Sequence, residues 1–167
     1  MSQLTHDEVN FESRKFPIIL VLHELSSPAN IGSIFRLADA FGVEEIILSN
    51  CNFEPNSNRF KRTARNTEHQ VNYQKTSDVF SLLKSLESTH DILVLEITDS
   101  SIAVDTLEFT EKPVVLIVGS ERYGVHDDIL KIAKKSTHIT MYGKNSSMNV
   151  AQATGIALFQ ITKTLTS

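Results

Sequence analysis

The chain has almost no cysteine, since Cys51 is the only one among its 167 residues. A single thiol cannot form an internal disulfide or a cysteine-based metal cluster, so redox and zinc chemistry are poorly supported. We expect Cys51 to be a buried small apolar residue, with a reactive thiol as the alternative.

Long apolar runs are also missing. Residues 16–22 and 113–118 are far shorter than the roughly 20 residues that a membrane helix needs, and residues 1–3 are polar, unlike a signal peptide. We therefore expect a soluble cytoplasmic protein with no membrane partner. A length of 167 residues with 41% hydrophobic residues fits one domain over residues 1–167, with residues 1–16 as a short N-terminal extension.

The net charge of −4 argues against a protein that coats nucleic acid without specificity. Acidic residues are nevertheless absent between Glu54 and Glu68, and this segment carries four cations. Cations in such a cluster can hold phosphates without reading sequence, and the alternative is a solvated basic loop. The candidate RNA-binding residues are Arg59, Lys61, Arg62 and Arg65.

Apolar runs and amphipathic segments alternate along the chain. The pattern predicts strands at residues 17–22, 45–48, 70–73, 92–97, 113–118 and 138–141, and helices at 31–41, 77–86, 127–134 and 149–163. Asn30 and Gly42 are placed to cap and to end the first helix. Residues 49–70 form a long loop with room for a short helix. The prediction is an α/β fold, a single domain with a mainly parallel sheet flanked by helices.

Glycine is scarce, and its placement is informative. Of six glycines, five lie in or just after three segments: 30–36 (NIGSIFR), 119–124 (GSERYG) and 141–150 (MYGKNSSMNV). The last two segments follow apolar runs, and ligands of parallel sheets bind beyond the carboxyl ends of strands. Gly155, inside the last helix, suggests a close packing contact.

The residues of each segment, taken alone, can be explained by local structure without any function. Asn30 and Ser147 can be helix caps, Gly119 and Gly124 turn residues, and Arg36 a solvated side chain. In this order along the chain, however, the segments resemble the three motifs of the TrmH (SpoU) family of RNA ribose 2′-O-methyltransferases. The resemblance extends over residues 18–161.

The resemblance implies a SPOUT fold with a C-terminal trefoil knot, a homodimer with sites at the subunit interface, and S-adenosyl-L-methionine as cofactor. No metal is implied. The cofactor-binding residues that it implies are Ile97, Thr98, Gly119, Ser120, Glu121, Gly124, Ile139, Met141, Met148 and Asn149.

The resemblance also implies catalytic roles for Arg36, Asn30, Glu121, Ser147 and Asn149. Arg36 would act on the ribose 2′-hydroxyl, and we favour stabilisation of developing negative charge over removal of the proton, because arginine stays protonated. Asn30 would orient Arg36 or the ribose. Glu121 would organise its loop, and the other two would form hydrogen bonds near the nucleotide.

Two departures from the family pattern bear on the substrate. Asn66 stands near a position where relatives often have glycine, and asparagine tolerates positive φ. Many relatives carry an N-terminal RNA-binding domain, whereas residues 1–16 alone precede the first predicted strand. We therefore expect tRNA rather than rRNA as substrate. The alternatives are an rRNA enzyme, a catalytically silent RNA-binding protein on the same fold, and a small-molecule methyltransferase.

Overall fold

A computed structural model describes residues 2–4, 8–9, 11–133 and 135–166. Within these residues the strands are β1 (Phe16–His23), β2 (Val43–Ser49), β3 (Asn72–Thr76), β4 (Asp91–Leu95), β5 (Ile102–Ala103), β6 (Val114–Val118) and β7 (Ser136–His138). The α-helices are α1 (Pro28–Ala40), α2 (Asn58–Ala64), α3 (Val79–Leu86), α4 (Asp127–Ala133) and α5 (Val150–Thr164). Single 3₁₀ turns lie at Thr67–His69 and Val104–Thr106.

The strands of the described residues form one seven-stranded sheet in the order β3-β2-β1-β6-β4-β7-β5. All neighbouring strands are parallel, so the prediction of a mainly parallel sheet is confirmed. Because parallel strands point the same way, the carboxyl ends of β1, β6, β4 and β7 lie along one edge of the sheet.

Helices cover both faces of this sheet. On one face α1, α2 and α5 bury Ile34, Phe60 and Leu158 against the strands, and on the other α3 and α4 bury Leu83 and Ile129. All five residues of β6 are buried, as expected for a strand between two helical layers. No helix in the described ranges is long and apolar enough to span a membrane.

Several predicted strand boundaries are wrong. The strand predicted at 138–141 is β7 at Ser136–His138, where Thr137 pairs with Leu95 and Ile102. β4 ends at Leu95, two residues before the predicted end, so the chain beyond His138 has no strand beside it to continue the ladder. The edge strand predicted at 70–73 is β3, two residues later, and β5 is a seventh strand too short to show a pattern.

Both helix caps that the sequence suggested are also wrong. Ser27 caps α1, accepting a hydrogen bond from the backbone N–H of Asn30, and Pro28 takes the first helical position. The helix therefore begins three residues before the predicted start. At α5 the cap is Asn149, whose side chain accepts from two backbone N–H groups, and Ser147 lies before it.

Other expectations are confirmed. Gly42 follows α1 with a φ of 60°, and the long loop contains the short helix α2. Asn66 has a φ of 68° after Arg65, which is also left-handed with a φ of 56°. The helix predicted at 127–134 is α4, and Lys134 lies outside the described residues.

Gly32 allows α1 and α2 to approach each other closely. A Cβ at this position would meet the side chain of Thr63 and would lie 2.6 Å from the carbonyl oxygen of Phe60. This contact holds the basic helix α2 beside the exposed face of α1. Gly155 has the predicted close contact too, since a Cβ there would lie 3.1 Å from Leu37 Cδ2 on α1.

Replacing Gly32 by alanine is expected to lower the free energy of unfolding by about 1 to 3 kcal/mol, because a methyl group overpacks the interface between α1 and α2. Urea denaturation measures this loss. Gly143→Ala is the control, since no atom of the described residues lies within 4 Å of the Cβ that it would add. Equal stabilities of the two variants would contradict the packing role of Gly32.

Candidate functional site

The Glu121 carboxylate joins the turn after β6 to the loop after β1. Its Oε2 accepts hydrogen bonds from the backbone N–H and the hydroxyl of Ser26, at 3.1 and 3.2 Å. Its Oε1 accepts from the backbone N–H of Ser27 at 3.2 Å and from Nδ2 of Asn30 at 3.0 Å. One side chain of the segment 119–124 therefore positions the start of the segment 30–36.

Asn30 extends the connection to the third segment. Its Oδ1 accepts a hydrogen bond from Asn149 Nδ2 at 3.0 Å, while its own Nδ2 donates to Glu121. Asn149 Oδ1 in turn accepts from the backbone N–H groups of Ala151 and Gln152 at the start of α5. Glu121, Asn30 and Asn149 thus form one hydrogen-bonded chain through all three segments, which we call the Glu121–Asn30–Asn149 chain.

The hydrogen bonds determine the ionisation of Glu121. Partial burial alone would raise the pKa of its carboxyl, but donors from Ser26, Asn30 and Ser27 outweigh burial and lower that pKa below its ordinary value. The carboxylate therefore stays charged at neutral pH and acts as a hydrogen-bond acceptor only.

A cavity of about 580 Å³ opens beside the Glu121–Asn30–Asn149 chain, at the carboxyl edge of the sheet. Nine of the ten predicted cofactor-binding residues line it, together with Asn30 and Ser147 from the predicted catalytic set. Thr98 does not line it, because its hydroxyl lies 2.6 Å from Ser136 Oγ and its backbone N–H donates to Ser101. The lining predicted residues are Ile97, Gly119, Ser120, Glu121, Gly124, Ile139, Met141, Met148 and Asn149, with Asn30 and Ser147.

Glu96 lines the same cavity and was missed by the sequence analysis. A Cβ at Gly124 would lie 3.3 Å from the carboxyl carbon of Glu96, so the glycine leaves room for this carboxylate. Gly124 also has a φ of 66°, which favours glycine. Glu96 is the first residue after β4, and that position beyond a parallel strand was the available signal.

Arg36 lies in a groove next to the cavity. The groove shares Asn30, Met148 and Asn149 with the cavity, and Arg62 lies in it with Arg36. Arg36 is exposed, as predicted, and has no hydrogen bond or ion pair within the described residues. Its guanidinium is therefore available to a ligand that enters the groove.

The basic segment is helical and faces solvent. Arg59, Lys61 and Arg62 are exposed residues of α2, and the exposed Arg65 caps its C-terminus. Four cations within seven residues, beside the groove of Arg36, form a surface that suits an anionic polymer.

Cys51 is half-buried, and its thiol donates to the carbonyl oxygen of Leu22 at 3.1 Å. Burial is the main cause that raises the pKa of this thiol to about 11. The thiolate, which is the reactive form, is therefore scarce at neutral pH.

Comparison with known proteins shows what this arrangement is similar to. The model of the SpoU rRNA methylase family matches residues 17–159. A tRNA (guanosine(18)-2′-O)-methyltransferase of Aquifex aeolicus is 30% identical, covering 89% of this chain and 70% of the relative. A 23S rRNA (guanosine-2′-O-)-methyltransferase of Haemophilus influenzae is 26% identical, covering 94% and 63%.

Solved structures agree with the sequence comparison. The structure of an AdoMet-bound rRNA methyltransferase from Sinorhizobium meliloti superposes with a TM-score of 0.82 and 25% identity, covering 94% of this chain and 60% of that one. The chain thus spans between 60% and 70% of the length of these three similar proteins.

Glu121→Gln is expected to lower the free energy of unfolding at pH 7 by about 1 to 2 kcal/mol, because the NH₂ group that replaces one carboxylate oxygen cannot accept a hydrogen bond. Either the Ser26 pair or the pair from Ser27 and Asn30 is then lost. The folded carboxyl has a pKa below 4.5, so its stabilisation is present above pH 4.5 and is lost as the pH falls through the lower folded value. Urea denaturation across pH measures the difference between the two proteins, which should narrow in acid.

The matched control is Glu111→Gln, at an exposed carboxylate away from the cavity. A difference for Glu121→Gln that stays constant from pH 7 into acid would contradict the assigned ionisation.

Proposed function

Because the chain belongs to the SpoU rRNA methylase family, we propose that it is an S-adenosylmethionine-dependent RNA ribose 2′-O-methyltransferase. Family membership confirms the resemblance of the three motifs. The observation that carries the proposal is the Glu121–Asn30–Asn149 chain, which joins all three motifs beside one cavity.

The cavity suits a cofactor of this kind. Its volume of about 580 Å³ lies within the roughly 300–1,000 Å³ of small-molecule sites. Leu95, Ile139 and Met141 supply apolar lining, and Glu96 supplies a negative charge that attracts a cationic ligand. S-adenosylmethionine, when bound, supplies a methyl group on a positively charged sulfonium. Glu121 contributes by holding its loop against Ser26 and Ser27.

Arg36 is the residue that we assign to the substrate hydroxyl. A guanidinium keeps its positive charge, so it stabilises the negative charge that develops on the 2′-oxygen as this oxygen attacks the methyl carbon and its proton passes to solvent water. Asn30 and Asn149 line both the cavity and the groove of Arg36, which lets them position a ribose between the two. Ser147 supplies a hydroxyl on the cavity side.

The cations of α2 are proposed to bind RNA phosphates. Arg62 shares the groove with Arg36, so a strand held by α2 would pass the proposed catalytic residue. This placement favours an RNA substrate over a small molecule.

We propose tRNA as the substrate class, acted on in the cytoplasm. A relative at 30% identity is named for tRNA, which supports this choice. A relative named for 23S rRNA makes ribosomal RNA the second candidate. Mapping the 2′-O-methyl marks that disappear from the RNA of cells lacking this protein distinguishes the two.

We also propose a single SPOUT domain, a homodimer and a C-terminal trefoil knot. Ile156 and Phe159 of α5 are 42% and 57% exposed and line the groove with Phe41, so a second copy would bury apolar surface there. The knot is proposed from membership of the SpoU family alone.

Arg36→Ala is expected to slow methyl transfer from labelled S-adenosylmethionine to RNA by at least about 100-fold, because the charge on the 2′-oxygen loses its stabilising partner. Cofactor binding, measured by calorimetry, should remain unchanged. The control is Lys84→Ala, which removes an exposed charge from α3 on the opposite face of the sheet. If Arg36→Ala transferred methyl groups at the wild-type rate, Arg36 would have no role in the mechanism. If the wild-type protein bound RNA but transferred no methyl group, the catalytically silent RNA-binding alternative would be favoured.

Arg59→Ala with Arg62→Ala is expected to weaken RNA binding at low salt and to reduce the slope of log affinity against log salt by about 2, one for each lost phosphate contact. Filter binding at several salt concentrations measures both quantities. Lys84→Ala with Lys131→Ala removes the same charge from α3 and α4 and should leave binding nearly unchanged. Equal losses in both double variants would mean that α2 is not the RNA-binding surface.

A further inference from the structure

Two imidazoles and a carboxylate meet outside the cavity, where β1 ends and α4 begins. His23 is the last residue of β1, Glu24 follows it, and His126 precedes α4. Glu24 Oε2 lies 3.0 Å from His126 Nε2, and Glu24 Oε1 lies 3.7 Å from His23 Nε2. One ligand atom from each residue lies within 4.8 Å of the other two.

His23 is held in place by its neighbours. Its side chain is 3% exposed, and its Nδ1 lies 3.0 Å from the hydroxyl of Ser49, which is fully buried. When Nδ1 donates to this hydroxyl, Nε2 carries a free lone pair on the side of Glu24. Histidine ligands of metals commonly have such a partner on the other ring nitrogen.

The backbone of Glu24 is in an uncommon conformation. Its φ is 57°, in the left-handed region, although it is not a glycine. Its backbone N–H donates to the carbonyl oxygen of Ser49 at 2.8 Å, which holds the residue at the end of β1. Strained residues of this kind concentrate at functional sites, and here the strained residue carries the carboxylate between the two imidazoles.

We propose that His23, Glu24 and His126 form a binding site for a transition-metal dication such as Zn²⁺. Zinc–nitrogen bonds of about 2.0–2.1 Å in a tetrahedral site place neighbouring ligand atoms about 3.3 Å apart. The two imidazoles face different oxygens of Glu24, at 3.0 Å from Oε2 and 3.7 Å from Oε1. One ligand atom from each residue lies within 4.8 Å of the others, so small side-chain rotations bring the three atoms to that spacing. His126 is 52% exposed, so its ring can rotate toward His23, and the remaining coordination positions face water.

The donor set is consistent with the single cysteine. One thiol excludes a thiolate cluster, but two imidazoles and one carboxylate are the ligands of many zinc sites with an open position. A cation here would tie the residue before α4 to the end of β1, and so would hold the α4 end of the turn that carries the segment 119–124. Its role is therefore stabilisation of this turn, separate from the chemistry of methyl transfer.

Titration of the full-length protein with Co²⁺, after removal of bound metal with a chelator, tests the proposal. Visible absorption should reveal saturable binding of one equivalent, which Zn²⁺ displaces. His126→Ala and Glu24→Gln should each weaken binding at least tenfold, while His69→Ala, at a histidine 74% exposed outside the cluster, should match the wild type. Absence of saturable binding, or equal affinity in His126→Ala and the wild type, would overturn the proposal.

Thermal unfolding gives an independent readout. Zn²⁺ should raise the melting temperature of the wild type and of His69→Ala, because a ligand of the native state stabilises it, and should leave that of His126→Ala unchanged. A Zn²⁺ response in His126→Ala equal to that of the wild type would contradict the site. Chelated protein is expected to retain methyl transfer, so failure of the metal site and failure of the proposed enzyme activity are distinguishable.

Discussion

The Glu121 carboxylate accepts four hydrogen bonds from the loop after β1 and the first turn of α1, and Asn30 passes this connection on to Asn149. These contacts join residues that are about ninety to one hundred and twenty positions apart in the chain. The geometry of the cavity depends on them, because Glu121, Asn30 and Asn149 all lie in its wall. A charged acceptor holds such loops more firmly than a neutral one does.

Close helix packing places the groove of Arg36, the proposed substrate site, next to the cavity. Gly32 lets α2 approach α1, and Gly155 lets α5 approach Leu37 of α1. As a result Arg36, Arg62 and Asn149 line one groove that shares part of its wall with the cavity. The small residues of the motifs therefore act through helix packing as well as through turns. Gly143, by contrast, has open space around it among the described residues.

The sequence predicted the parallel sheet and most of the cavity lining, because both follow from local signals. Buried strands such as β6 appear as apolar runs, and residues just beyond them lie at one edge of the sheet.

The prediction errors arose where contacts between distant parts of the chain determine the local structure. β7 stops at His138 because its neighbour β4 stops at Leu95. The residues of β7 carry no information about where β4 ends. Thr98 does not line the cavity, and its hydroxyl contacts Ser136, which lies 38 positions later in the chain. No local sequence pattern signals a contact between residues so far apart. The caps were predictable from Ser27 before Pro28 and from Asn149 before the last helix, but Asn30 and Ser147 offered competing candidates.

The central claim is that the three motifs form one site for methyl transfer to a ribose. The most direct measurement is mass spectrometry of nucleosides from RNA incubated with the purified protein and S-adenosylmethionine carrying an isotopically heavy methyl group. Fragmentation separates the ribose from the base. The account predicts the heavy methyl group on the ribose fragment; a heavy methyl group on the base, or none on RNA of either class, would contradict it.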